Sequence, residues 1–432
     1  MPSTLDVNVH HVTRIEGHGN IVVRVREGTV EKVEWQVPEA PRFFEAMLRG
    51  RSYEDVQTVV CRICGICSCS HSLAAIKAVE AALGIQVSEQ TERLRTLLSY
   101  GEQLESHVLH VGYLVAPDLL GQKSVVPLVR THPDVVRTII RAHRLGNDWM
   151  ALVGGRRTHP VAVKPGGFAS LPAESQLREL KDRLAAAVPD LQRIAEVVQG
   201  LAYKLPAFER PTEYVALTNA GCYTFYHGEI GSTDVRETVP VDRFESVVNE
   251  YVCAQSTAKW ARWHRDSYAV GALARFNLNG GLLLPLAAKT AQALGLRKGC
   301  SNPYMNSLAQ VVEALQVVEH GIELMDEVLS AGIRPEKPRA EPRAGEGVGA
   351  VEAPRGTLFH RYAFDARGRC TAANICIPTN QNHANIQKDF EALLPQVMDR
   401  GPDRVRLLLE MLVRSYDPCV SCSTHCLDLE LV

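Results

Sequence analysis

Two cysteine pairs of identical spacing stand far apart in the chain. Cys64 and Cys67 form one C-x2-C; Cys419 and Cys422 form the other, near the end of 432 residues. Four thiolates presented this way can hold one metal in tetrahedral or near-tetrahedral geometry. A structural zinc knot tying the two ends together is one such site, and spacing alone admits it. The surroundings are richer than a zinc knot requires: Arg62 and His71 flank the first pair, Asp417 and His425 the second. Cys61 and Cys69 add two thiols within "CRICGICSCSH" and read as packing residues. Clustered cysteines in a long chain point to metal ligation and away from a disulfide framework. Scattered Cys222, Cys253 and Cys300 read as small buried hydrophobes.

Composition sets the background. The chain is 46% hydrophobic and 22% charged, with a formal net charge of −2. This is globular composition with ample core material. Near-neutral charge argues against nucleic acid as the main partner, because phosphate binding needs surplus Lys and Arg. The basic stretch "RAHRLGNDWMALVGGRRTH" could face a polyanion but reads better as a solvated helix face or a buried-site arginine. No apolar run reaches the roughly 20 residues of a membrane span. The N-terminus lacks the basic and apolar regions of a secretory signal, so a cytoplasmic location is expected.

The elements that must position the cysteines are mostly helical. Alternation in "NIVVRVREGTVEKVEWQV" predicts a β-hairpin at about 20–37. Helical spacing predicts long helices over 88–116, about 133–155, 173–201 and 303–331, with Ser88 as an N-cap and Gly332 as a C-cap. Together these make a helical core at about 70–331. Residues 333–354, rich in Pro, Gly and charge, read as a linker. A strand-like stretch follows, and "PDRVRLLLEMLVRSY" reads as a helix that delivers "DPCVSCSTH". The expected fold is mainly α, a bundle of long antiparallel helices with small β elements near both ends.

The motifs together are highly specific. "RICGICSCSH" and "DPCVSCSTH" resemble the R-x-C-G-x-C-x-x-x-H and D-P-C-x-x-C-x-x-H motifs of [NiFe]-hydrogenase large subunits. "VTRIEGHGNIVV", "RFFEAMLRGR", "APRG" and "NICIPT" resemble further signatures of that family in the same order. The resemblance runs from residue 12 to residue 425 and implies one large-subunit domain, 1–425, with a metal-site segment at 355–425.

That resemblance implies a catalyst that splits H2 heterolytically and reversibly. Cys64 and Cys419 would bind nickel terminally. Cys67 and Cys422 would bridge it to an iron carrying CO and two cyanides. Soft thiolates suit both metals. Arg355 would hang over the metals and contact a cyanide; Thr379 would donate to the other cyanide and Pro378 would shape an apolar pocket for the CO. Asp118 and Asp417 would belong to the same canopy, although either could be an ordinary helix-end or turn residue. The released proton would pass from Cys419 to Glu16, with Arg355 a weaker rival base because its pKa exceeds about 12. Glu16 taken alone would pair with Arg14. Glu45, His425 and the carbonyl of Ile375 would hold magnesium, and His71 would support a bridging thiolate by a hydrogen bond.

Residues 426–432, "CLDLELV", would be an extension removed by a maturation endopeptidase. With four cysteines assigned, no second set suits an iron–sulfur cluster, so electrons would leave through an iron–sulfur small subunit. The expected context is a cytoplasmic multi-subunit enzyme linked to NAD(P), deazaflavin or heterodisulfide partners. Three other readings remain at this stage: the zinc knot, a metal-free respiratory relative, and an H2-sensing regulatory subunit.

Overall fold

A computed structural model describes residues 4–425. Thr4–Val9, Asn20–Arg26 and Thr29–Gln36 form an antiparallel three-stranded sheet in that order. The first two strands alternate as the sequence does, burying Leu5, Val7 and Val9 opposite Ile21, Val23 and Val25. Trp35, at the end of the third strand, anchors the sheet to the helix Pro378–Val397. Its indole N–H donates to His383 Nδ1 at 2.9 Å and its backbone N–H to Gln387 Oε1 at 2.8 Å.

Four long helices, Glu89–Leu109, Pro133–Gly154, Glu174–Leu201 and Asn306–Ala331, pack against one another. Ser88 caps the first by accepting the Thr91 N–H at 3.1 Å. The long helix expected over 88–116 is not uniform. It is α-helical to Leu109, becomes a π-helix over His110–Val115 and resumes as Ala116–Leu119. Pro117 explains the widened turn: it has no N–H to give Tyr113, and its ring crowds that carbonyl.

Two further readings need correction. Residues 205–270 of the expected helical core contain no α-helix but carry two small sheets, one of Tyr268–Ala269, Glu213–Thr218 and Glu229–Ser232, the other of Asn249–Cys253 and Ser256–Arg262. The β structure is therefore not confined to the ends of the chain. The linker expected over 333–354 also ends early. Gly345–Ala353 is a strand, paired with Gly356–Phe364, which pairs in turn with Cys370–Cys376.

The glycines that suggested a linker serve close packing. This strand lies on the helix Ser68–Leu83 that follows the first cysteine pair. A Cβ on Gly345, Gly347 or Gly349 would sit 2.1, 2.3 and 2.1 Å from Ala82 O, Ala82 N and Ala74 O respectively. Glycines on every second strand position face alanines at every fourth helix position, so backbone meets backbone. Gly349→Ala should therefore lower the stability of the chain by about 1–3 kcal/mol through overpacking. An unchanged thermal midpoint would show that the strand can lift off the helix freely.

Candidate metal centre

Each cysteine pair sits where a loop meets a helical turn. Cys64 closes the short turn Cys61–Ile63, and Cys67 precedes the helix Ser68–Leu83. Cys419 precedes the single turn Val420–Ser423. Glu16, in the loop after the first strand, forms a parallel bridge with Cys419, and its carbonyl accepts the Val420 N–H at 2.9 Å. The N-terminal loop, the first cysteine loop and the last cysteine loop thus converge. Arg42 fastens the two cysteine loops together, donating from Nη2 to the carbonyls of Ile63, at 2.8 Å, and Ser421.

The four thiols meet in one buried cluster. Their sulfurs all lie within 4.8 Å of one another, with Cys64 and Cys419 3.5 Å apart, Cys67 and Cys422 3.8 Å, and Cys419 and Cys422 2.6 Å. Cys64 Sγ accepts the backbone N–H groups of Ile66 and Cys67 at 3.2 and 3.3 Å. Hydrogen bonds from Cys419, Cys422 and Cys67 hold the Cys64 thiol well below the usual thiol value. The Cys419 hydrogen bond favours the Cys67 thiolate too, but its Cys64 neighbour and burial prevail, and Cys67 is pushed up to about 11. Burial pushes Cys419 and Cys422 well above the ordinary range. Protein groups alone therefore favour one thiolate among four. A cation placed between the sulfurs would stabilise all four, which is the behaviour of a metal-ligand set.

Glu16 sits beside this cluster. Its Oε2 accepts from the Cys419 thiol at 3.1 Å and from the Ser421 N–H at 3.1 Å. Burial raises its pKa, helped by negative charge on Cys64. The ordinary pairing of Glu16 with Arg14 does not occur. Arg14 Nη2 binds Asp118 Oδ1 at 2.5 Å and Nη1 donates to the Leu114 carbonyl at 2.6 Å.

Arg355 occupies the tip of a hairpin over the last cysteine loop. Its Nε donates to the Asp417 carbonyl at 2.7 Å and its Nη2 to Asp417 Oδ1 at 3.1 Å. Its Nη1 is buried with no hydrogen-bond partner among the described residues. An unmatched N–H edge on a guanidinium coupled by charge to Cys419, Cys67 and Cys64 fits a site built to hold a further acceptor. Asp417 has φ 49°, a left-handed conformation made rarer by the following proline, and Gln310 Nε2 donates to its other oxygen at 3.0 Å. Thr379 Oγ1 accepts the Cys419 N–H at 3.0 Å, which leaves its own O–H free to donate; Pro378 begins that helix.

Asp118 stands apart from this arrangement. Its carboxylate lies between Arg14 and Arg414, 2.7 Å from Arg414 Nε, and has no contact with Arg355. Two arginines saturate it, so it braces the helix Pro402–Ser415 that leads to the cysteines.

The second expected site also converges. Glu45 Oε1 accepts the Ile375 N–H at 2.7 Å and lies 3.7 Å from His425 Nε2, which is 2.6 Å from the Ile375 carbonyl. His425 Nδ1 lies 2.7 Å from the Cys422 carbonyl. Both ring nitrogens thus face carbonyl oxygens, although a neutral imidazole donates only once. An imidazolium beside the Glu45 carboxylate satisfies both carbonyls, and a cation shared by Nε2, the Ile375 carbonyl and Glu45 would do so with the ring neutral. Burial acts to raise the Glu45 pKa, but the His425 contact outweighs it and the carboxyl is held below its usual value. His71 is buried, its Nδ1 3.1 Å from His360 Nε2, and burial pulls its pKa down to about 3. No hydrogen bond joins it to a thiol among the described residues. Cys426 and the extension 426–432 lie outside the described residues.

Sequence reasoning overlooked Arg42, Gln310 and the buried Arg275 with its partners. A signal existed for some of these. Asn306, Gln310 and Glu313 place polar groups on one face among the buried apolar residues of their helix, a pattern that demands buried partners.

Comparison with known proteins bears on this geometry. A family described as nickel-dependent hydrogenase matches residues 42–131 and 290–425, and a model described as HoxL-like matches residues 6–40. The alpha chain of sulfhydrogenase 1 from Pyrococcus furiosus is 34% identical over 98% of this chain and 99% of its own length. A chain of the F420-non-reducing hydrogenase from Methanothermobacter thermautotrophicus is 32% identical over 97% and 94%. Among solved structures, an NAD+-reducing [NiFe]-hydrogenase in the H2-reduced state superposes with a TM-score of 0.84 at 27% identity, covering 98% of this chain and 100% of the other.

Proposed function

The chain belongs to the nickel-dependent hydrogenase large-subunit family, an oxidoreductase that activates H2, and on that premise we propose how its residues divide the work. Cys64, Cys67, Cys419 and Cys422 would hold a nickel–iron pair whose iron carries CO and two cyanides, with Cys64 and Cys419 serving the nickel. The observation that carries this reading is the cluster itself: four buried sulfurs within 4.8 Å, drawn from both ends of the chain. Bound there, the metals supply the Lewis-acidic, redox-active centre at which H2 is polarised.

The protein's own groups then handle the proton and the surroundings. Cys419 Sγ holds the proton first and passes it across 3.1 Å to Glu16 Oε2, from which it leaves toward solvent. Asp417 fixes two arms of Arg355 and leaves Nη1 as a permanently charged donor toward substrate and a cyanide. Thr379 donates its free hydroxyl to the other cyanide, and Pro378 lines an apolar pocket. His71, its ring held by His360, acts on the thiolates through their charge and not by a hydrogen bond. Glu45, the Ile375 carbonyl and His425 would hold magnesium, and their direct contacts already tie the last described residues to the N-terminal half.

The remaining assignments follow the same family. The long helices are read as an antiparallel bundle that carries both cysteine loops, and residues 1–425 as one working unit. Residues 426–432 are removed by a maturation endopeptidase, electrons leave through an iron–sulfur small subunit, and the enzyme works in the cytoplasm. No helix among the described residues is long and apolar enough to cross a membrane.

Metal content of the complex purified anaerobically from its native host tests the reading. The expected result is close to one nickel and one active-site iron per chain, after subtraction of iron–sulfur iron, together with H2-dependent dye reduction. Zinc without nickel in chains already trimmed after His425 would favour the structural knot and overturn the proposal.

A further inference from the structure

A second buried arginine grips the hairpin tip that carries Arg355. Gly345–Ala353 and Gly356–Phe364 pair through Ala353 and Gly356, so Pro354 and Arg355 are the two-residue turn between them. Arg275, on the helix Ala272–Asn279, donates to the Ala353 carbonyl at 2.9 Å and to the Pro354 carbonyl at 3.0 Å. Its remaining donors reach Glu352 Oε2 at 2.8 Å and the two Glu313 oxygens at 2.7 and 2.6 Å. All five N–H groups of one guanidinium are therefore used, two of them on the turn.

The partners are equally committed. Glu352 Oε1 accepts the Thr357 hydroxyl at 2.6 Å and the Leu217 N–H at 2.7 Å, so the grip spans both strands of the hairpin. Glu313 also receives Tyr223 Oη at 2.6 Å and lies 2.7 Å from His107 Nε2. Arg275, Glu313 and Glu352 are fully buried. A buried ion network is a weak source of stability, because apolar residues of equal volume pack as well without desolvating charge. Fixing two turn carbonyls at defined angles is something apolar residues cannot do. Gly271, just before the Arg275 helix, confirms the close seating: a Cβ there would lie 3.3 Å from the Arg355 carbonyl.

We propose that Arg275 is a positioning residue for Arg355, holding the turn so that the Arg355 guanidinium stays on Asp417 with its Nη1 edge free. This inference rests on the proposed role of Arg355 as the donor over the metals. Lysine at 275 keeps the charge between Glu313 and Glu352 but cannot reach both carbonyls.

The test is a double-substitution cycle in the intact, metal-loaded complex. Arg275→Lys should lower H2 oxidation between about 10- and 100-fold, the effect of a small misplacement of a reacting group, with nickel content retained. In an Arg355→Lys background the same change should cost almost nothing further, since its route of action is already gone. The crystal structure of the Arg275→Lys complex should show the Arg355 guanidinium displaced from Asp417. Equal losses in both backgrounds, or an Arg355 still seated on Asp417, would overturn the proposal. Glu313→Gln, which keeps one acceptor oxygen and takes the other from one of the five arms, runs the same cycle if lysine at 275 prevents folding. Should the wild-type complex turn over no H2, the reading of the site fails, while the crystallographic comparison still decides whether Arg275 positions Arg355.

Discussion

Cys64→Ser should yield a folded chain that neither retains nickel nor turns over H2. The serine hydroxyl can still accept the Ile66 and Cys67 N–H groups that now point at Sγ, so the loop keeps its shape. What it cannot supply is a soft anionic donor, because a serine hydroxyl stays protonated where Cys64 is the most acidic of the four thiols. Loss of an indirect support of a metal ligand already lowers affinity or activity about 10- to 100-fold, so loss of the ligand itself should exceed that. The measurement is nickel per chain by elemental analysis beside H2-dependent dye reduction. Cys69→Ser provides the contrast: this thiol is buried two residues beyond the pair, against Met150 Sδ at 3.6 Å, and its replacement should leave nickel in place. Full nickel occupancy in Cys64→Ser would remove Cys64 from the ligand set.

Glu16→Gln should separate metal binding from proton transfer. Glutamine keeps an oxygen for the Ser421 N–H and stays beside Cys419, but it cannot take up and release a proton in turnover. H2 oxidation is expected to fall by about 10²–10⁴-fold, the range for removing a positioned acid–base group, with nickel content unchanged. Glu16→Asp, which keeps the carboxylate but shortens the reach, should fall between wild type and glutamine. Activity within about threefold of wild type in Glu16→Gln would mean that the proton leaves Cys419 by another route.

Much of this site was legible in the sequence because its four cysteines fall in local patterns. A C-x2-C pair constrains its own geometry: two thiols three residues apart at a helix start face one metal whatever the rest of the chain does. The alternation of Asn20–Arg26 and the cap at Ser88 are likewise short-range signals, and the strand and helix they predict are present. The signatures around Glu16, Glu45, Arg355 and Thr379 could nominate residues but could not aim them. Asp118 shows the difference. It resembles a canopy carboxylate in the sequence, yet Arg14 and Arg414 claim it in space.

What failed were features whose cause lies across the molecule. Gly345, Gly347 and Gly349 read as linker because no window around them contains the alanines of the helix they pack on, some 270 residues earlier. The strands within 205–270 are short, and their pairing partners, not their own periodicity, make them strands. By itself the sequence determined the family and singled out the four cysteines, since thiol spacing and signature order are properties of the chain. The tertiary structure alone decided that Arg355 is seated on Asp417 with Nη1 left without a hydrogen-bond partner among the described residues, that Gln310 steadies Asp417, and that Arg275 grips the turn from behind. Those are directions of buried donors, and a donor's direction is set by whichever acceptors folding brings within about 3 Å.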